Sequence, residues 1–325
     1  MIVPEHWAEA SDRIEGAKTK RLVKRFGWSD VSVEEAQQHA NQRVADAIAE
    51  IKRGEMLPFT EPKVAYNGAD GLPIREEIID RRGDAVLTRN AYGALCLNTP
   101  DVLFADVDVP ESSGCMTYVV AYVVSVVALS VVAFQLDITN PIFLVLFLSM
   151  LSAAIFGSLI ETVRRRISGT PHTMARKRIA AFAKSHPQWK LRLYETPMGF
   201  RVLVTHATFD PRGAEALDFF DRIKADPVYV RMCFNQNCFR ARVSPKPWRV
   251  GMSEHLKPRP GVWPIEPGRL PERQAWVKQY DQARRQHAAC RYVDSFGNGR
   301  PCREANEVQR WHDELSAANQ DWPIA

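Results

Sequence analysis

MTYVVAYVVSVVALSVVAFQ at 116–135 and PIFLVLFLSMLSAAIFGSLI at 141–160 are two 20-residue runs without a charged residue. As helices each spans roughly 30 Å, the thickness of a bilayer's hydrocarbon core. Only Leu136-Asp137-Ile138-Thr139-Asn140 separates them, with Asn140 placed to cap the second helix and Pro141 at its first position. The pair reads as a transmembrane helical hairpin, since buried helices of soluble proteins rarely run this long without a polar face. Arg164, Arg165, Arg166, Arg176, Lys177 and Arg178 follow the second run, whereas the turn offers only Asp137. Positive residues stay inside, so the sequence predicts a multi-pass protein of the inner (plasma) membrane with both termini cytoplasmic. The first 30 residues mix charges throughout and carry no apolar core, so no cleavable signal is expected there.

The hairpin divides the chain into 1–115, with N-terminal helices and first strands, 116–160, the membrane segment, and 161–325, a part that completes the core. The division is also one of charge. Residues 1–115 hold 14 Lys and Arg against 20 Asp and Glu, and residues 161–325 hold 29 against 17. A basic half that follows the membrane suits anionic lipid headgroups, nucleotides or nucleic acid, and the sum alone does not choose among them. The six cysteines face a reducing compartment and are expected to be thiols or metal ligands. Cys233, Cys238, Cys290 and Cys302 could form a zinc site, although no CxxC pair is present.

The N-terminal 55 residues read as two helices, the second opened by a capping box at Ser32 and Glu35 and carried by Ala36, Ala40, Val44, Ile48 and Ile51. A loop rich in Pro and Gly at 56–73 leads to three apolar runs, 85–88, 93–97 and 102–109, read as an antiparallel meander. Beyond the hairpin come a basic helix at 173–184 and a β-hairpin of 190–195 and 200–206. A helix capped by Asp210 follows, then strands at 228–232 and 239–243, and helices at 272–292 and 303–318. The order implies one α+β unit, an antiparallel sheet with helices, interrupted by the membrane hairpin.

Three segments could carry chemistry. In VLFADVDV at 102–109, strand alternation puts Asp106 and Asp108 on one face of an apolar strand, where like charges about 7 Å apart invite a divalent cation. In YETPMGFRVLVTH at 194–206, a turn at Gly199 precedes Arg201 and His206. In FRARVSPKPWR at 239–249, Arg240 and Arg242 share a strand face with Lys246 just beyond, cationic donors suited to a triphosphate or a phosphate backbone. Trp248, Trp263, Trp276 and Trp311 could stack on bases or sit at the membrane interface, with core packing the ordinary role of each.

This succession, two alternating aspartates, a T-P-x-G turn, a helix leading to Asp226 and an R-x-R-x-S-x-K segment, resembles the archaeo-eukaryotic primase superfamily, particularly its bacterial primase-polymerase branch. The resemblance implies that Asp106, Asp108 and Asp226 hold Mg²⁺ or Mn²⁺, that Gly199 to Arg201 form the second motif, and that Arg240, Arg242 and Lys246 contact phosphates. The family's histidine position is held here by Arg201 or Val202, leaving His206 downstream as the substitute. The expected function is a membrane-anchored, divalent-metal-dependent nucleotide-binding protein, either a nucleotidyltransferase or a degenerate relative. Two other classes fit parts of the pattern. One is a non-catalytic membrane scaffold with a basic lipid- or partner-binding face, in which Ala153 and Gly157 serve helix packing or a homo-oligomer. The other is a D-x-D glycosyltransferase.

Overall fold

The computed structural model describes residues 3–15, 20–61, 72–109, 115–259 and 261–325; most of the expected 56–73 loop lies outside them. The chain opens with an antiparallel ribbon of β1 (His6–Glu15) and β2 (Lys20–Ser29), against which α1 (Val33–Lys52) packs. The Ser32 hydroxyl accepts from Glu35 N, as the capping box requires. The first expected helix is therefore corrected to a ribbon. Its period was masked because Arg25, a charged residue, occupies a core position, where its guanidinium donates to the carbonyls of Lys24, Pro58 and Phe59. Ribbon and helix meet at Gly27, where a Cβ would lie 2.2 Å from both Ala36 O and Ala40 N.

Next come β3 (Glu77–Arg82), β4 (Ala85–Arg89), β5 (Leu95–Thr99) and β6 (Phe104–Asp108). Then follow α2 (Cys115–Gln135), α3 (Ile142–Ser168), α4 (Pro171–Ser185), β7 (Leu191–Thr196) and β8 (Gly199–Val204). The chain continues through α5 (Ala214–Ile223), α6 (Pro227–Gln236), β9 (Phe239–Arg242), α7 (Leu270–Ala283), β10 (Arg291–Phe296) and α8 (Arg303–Ser316). Two four-stranded sheets result, β3-β4-β5-β9 and β10-β7-β8-β6, with every pairing antiparallel. The architecture is mixed α+β.

The expected meander breaks at its third member. β6 leaves β5 and pairs with β8, whose register sets Asp106 opposite Arg201 and Asp108 opposite Gly199. The expected strand at 228–232 is helix α6, because Asp226 caps it and Pro227 opens it, a start signal that outweighs the β-branched pair Val228 and Val230. The expected 272–292 helix stops at Ala283, and its last two positions, Arg291 and Tyr292, begin β10. Asp210 stands ahead of α5, whose cap position is Gly213.

Helices α2 and α3 include stretches of 20 and 22 residues with mean hydropathy 2.3 and 2.4, long and apolar enough to cross a membrane. Val119, Val123, Val127, Phe143, Phe147 and Phe156 project from them exposed, as in a lipid-facing surface. Between the two helices Ser149 and Ala153 are buried, and a Cβ on Gly157 would strike the Tyr118 ring at 2.4 Å. The small-residue stripe thus serves packing within the hairpin. Gly27→Val is expected to lower the urea midpoint of the detergent-purified chain by the equivalent of about 1–3 kcal/mol. Gly268→Ala, where an added Cβ meets nothing within 4 Å, is expected to leave it unchanged.

Candidate functional site at the junction of the two sheets

Arg201 is 2% exposed and sits between the two sheets. Its Nε donates to Asp106 Oδ1 at 2.8 Å, its Nη2 to Asp106 Oδ2 at 3.2 Å, and its Nη1 to the Arg242 carbonyl at 2.7 Å. The fork therefore engages a carboxylate on β6 and a backbone oxygen on β9 at once. The outer edge of β6 is closed by α6: Asp226 N donates to Asp106 O at 2.8 Å and the Tyr229 hydroxyl to Phe104 O at 2.8 Å. Gly199 is the close-approach residue. It has φ +147°, and a Cβ there would lie 2.3 Å from Val107 O and 2.9 Å from Val109 N, so any side chain would push β8 off β6.

This assembly gathers Asp106, Asp108 and Asp226 at the end of β6, with Arg242, Lys246 and Arg249 facing them. Partial burial, then the neighbouring Asp106 and Asp226 carboxylates, push Asp108 above the ordinary aspartate value against the pull of Lys246 and Arg242. Partial burial and the adjacent arginines lower Lys246, and the same causes lower Arg249. Arg242 Nε and Arg249 Nη1 are buried with no hydrogen-bond acceptor among the described residues. Lys246 Nζ lies 5.4 Å from the ring centroid of exposed Trp248, which in turn stands 5.4 Å from Tyr92.

The three acids are less free than the sequence suggests. Both oxygens of Asp106 are held by Arg201, and both oxygens of Asp226 accept from the start of α6, at Val228 N and Tyr229 N, 3.1 Å each. No group of three His, Cys, Asp or Glu side chains is arranged to hold a metal ion among the described residues. Two of the three acids expected to hold Mg²⁺ or Mn²⁺ thus already accept hydrogen bonds from the protein.

Two other expected residues lie elsewhere. His206 follows the far end of β8, roughly 16 Å along the strand direction from Arg201 at 3.3 Å per residue. There its Nδ1 accepts from Lys190 N at 3.3 Å, its ring meets Trp189, and burial lowers its pKa. Arg240 is 5% exposed and donates to both oxygens of Glu76 at 2.6 and 2.7 Å, so it faces away from the acids. The four cysteines do not converge. Cys233 and Cys238 are buried at the C-terminal end of α6, and burial pushes Cys238 up to about 12. Cys290 Sγ instead lies 3.8 Å from His312 Nε2, whose Nδ1 is 3.0 Å from Asp313 Oδ1. Trp276 and Trp311 are core residues. Tyr92 and Arg249 are the site residues that sequence reading missed. The second carried a signal, since it continues the basic run past Lys246.

No protein-family model matches the chain, and no curated protein and no solved structure is similar to it beyond chance.

Asp106→Asn is expected to destabilise the fold by on the order of 3 kcal/mol, read as a lower urea midpoint, because it leaves the buried Arg201 guanidinium without a counter-charge. Asp108→Asn is expected to act in the opposite direction. A carboxyl whose folded pKa is raised costs stability when ionised, so the variant gains Tm at neutral pH. That gain should shrink as pH falls through the raised pKa and vanish below about 3.9, the ordinary aspartate value.

Proposed function

We propose that the chain is a membrane-anchored nucleotide-binding protein of primase-polymerase-like architecture, built to hold a triphosphate without the two-metal chemistry of that superfamily. The observation that carries this reading is the convergence of Arg242, Lys246 and Arg249 with no ion pair to a described carboxylate and with buried, unanswered donors on both arginines. A phosphate group answers such donors in the bidentate manner that guanidinium favours. Trp248 and Tyr92 supply an aromatic face on which a base can stack. Asp108, whose carboxylate is the one of the three left open, is the residue that would meet a divalent cation arriving with the phosphates.

The hairpin anchors this site. With the turn at Asp137 outside and the arginines after the second span inside, both soluble parts lie in the cytoplasm. Cys115 follows Asp108 by seven positions, so the nucleotide would sit within about 25 Å of the membrane surface even if that segment were fully extended. Among the described residues both four-stranded sheets are antiparallel, an arrangement that does not favour the β-α-β nucleotide-binding half of a D-x-D glycosyltransferase.

The decisive experiment is calorimetric titration of the full detergent-purified chain with ATP, with Mn²⁺ and with EDTA, beside Lys246→Ala and Arg249→Ala. Each lost charge-assisted contact is worth about 1.5–3 kcal/mol, so each variant is expected to bind roughly 10- to 100-fold more weakly. Binding should persist in EDTA. Equal binding by wild type and variants, or none at all, would favour the scaffold reading, in which the basic face holds anionic lipid. Binding abolished by EDTA would restore the metal-dependent one.

A further inference from the structure

A second concentration of cations lies beside a cleft on the outer side of the β3-β4-β5-β9 sheet. The cleft is lined by Arg75, Arg89, Arg240 and Arg273 together with Glu76 and Glu77. Arg240 is neutralised by Glu76. Arg273 donates to Glu77 through Nε at 2.7 Å, while Arg89 Nε stands 3.7 Å from that same carboxylate, too far for a hydrogen bond. Arg75 has no carboxylate partner among the described residues and donates through Nε to the Trp263 carbonyl. Four guanidinium groups thus line the cleft with two carboxylates, while Glu9 and Asp281 act on Arg75 and Arg89 from outside it.

The donors show a deficit. Arg75 Nη1, Arg89 Nε and Arg273 Nη1 are buried and reach no acceptor among the described residues, and Arg89 and Arg273 are only 5% and 3% exposed. Aromatic contacts do not remedy this. Arg75 lies over Trp7 and Phe26 and Arg273 over Trp263, at 4.5–5.7 Å. Rings cover the faces of a guanidinium, whereas its N–H donors lie in the plane and need acceptors at the edge. A buried donor left without an acceptor costs free energy, so three such donors around one cleft call for an anion. Burial lowers the pKa of Arg75 against the pull of Glu9, and that of Arg89 against the pull of Asp281 and Glu77. Within the cleft the centre of a water molecule can range over about 30 Å³, two to three times what one water needs. That room suits one small oxyanion.

We propose that the cleft between Arg75, Arg89 and Arg273 is a binding site for a single phosphate group, either free phosphate or the terminal phosphate of a monoester. It shares no side chain with the Lys246 site and does not depend on the nucleotide reading.

The test uses the full detergent-purified chain carrying Lys246→Ala and Arg249→Ala, so that the other cationic site is removed. Inorganic phosphate is expected to raise Tm saturably at constant ionic strength, where chloride does not. Adding Arg75→Gln, which strands no buried carboxylate, is expected to weaken phosphate binding at least tenfold by calorimetry. Arg273→Lys, which keeps the charge but loses the fork, is a second variant expected to bind more weakly. Glycerol 3-phosphate binding as well as phosphate or better would assign the site to a phosphorylated end, and binding of phosphate alone would assign it to the free ion. A Tm that does not respond to phosphate, or binding unchanged by Arg75→Gln and Arg273→Lys in folded protein, would overturn the proposal.

Discussion

The contact between Arg201 and Asp106 is the constraint on which the soluble part of the molecule depends. A guanidinium buried between two sheets must have its charge and donors answered, and here one carboxylate on β6 and one carbonyl on β9 do so. The sheets share no strand, so this side chain supplies a direct polar tie across their junction, beside the apolar core common to both. It fixes the register of β6 against β8, the approach of β9, and through Asp106 O the docking of α6. The same tie engages both oxygens of Asp106 in hydrogen bonds.

Much of this was legible from residues alone. The hairpin was visible because 20 uncharged residues have few structural solutions, and the β7-β8 turn because Gly199 follows a Thr-Pro pair. The capping box at Ser32 located the start of α1. What misled were residues in roles that their type conceals. Arg25 at a core position hid the alternation of β2, and Val228 and Val230 suggested a strand where Asp226 and Pro227 had already begun a helix. Sequence proximity also made β6 look like the third strand of a meander, although its hydrogen-bonding partner lies beyond the whole membrane segment.

The acids were found and their condition was not. Spacing put Asp106 and Asp108 on one face, and the structure gathers them with Asp226, but spacing does not report that Arg201 and the α6 amides have claimed two of the three. The outer cleft had no sequence signature. Arg75, Arg89, Arg240 and Arg273 are scattered over 199 positions of the chain and become neighbours through the fold alone.

The interruption of the sheet by the hairpin also imposes an order on synthesis. β6 emerges from the ribosome before either membrane helix, while β8, the strand that covers its edge, follows both. Until then β6 is an apolar strand with unpaired backbone groups, the kind of surface that recruits other chains. Because the sheet closes only after residues 115–168 have been made, both long apolar helices are complete before the fold around them can be. A chain that stalled after the second apolar helix would present an open sheet edge to its surroundings.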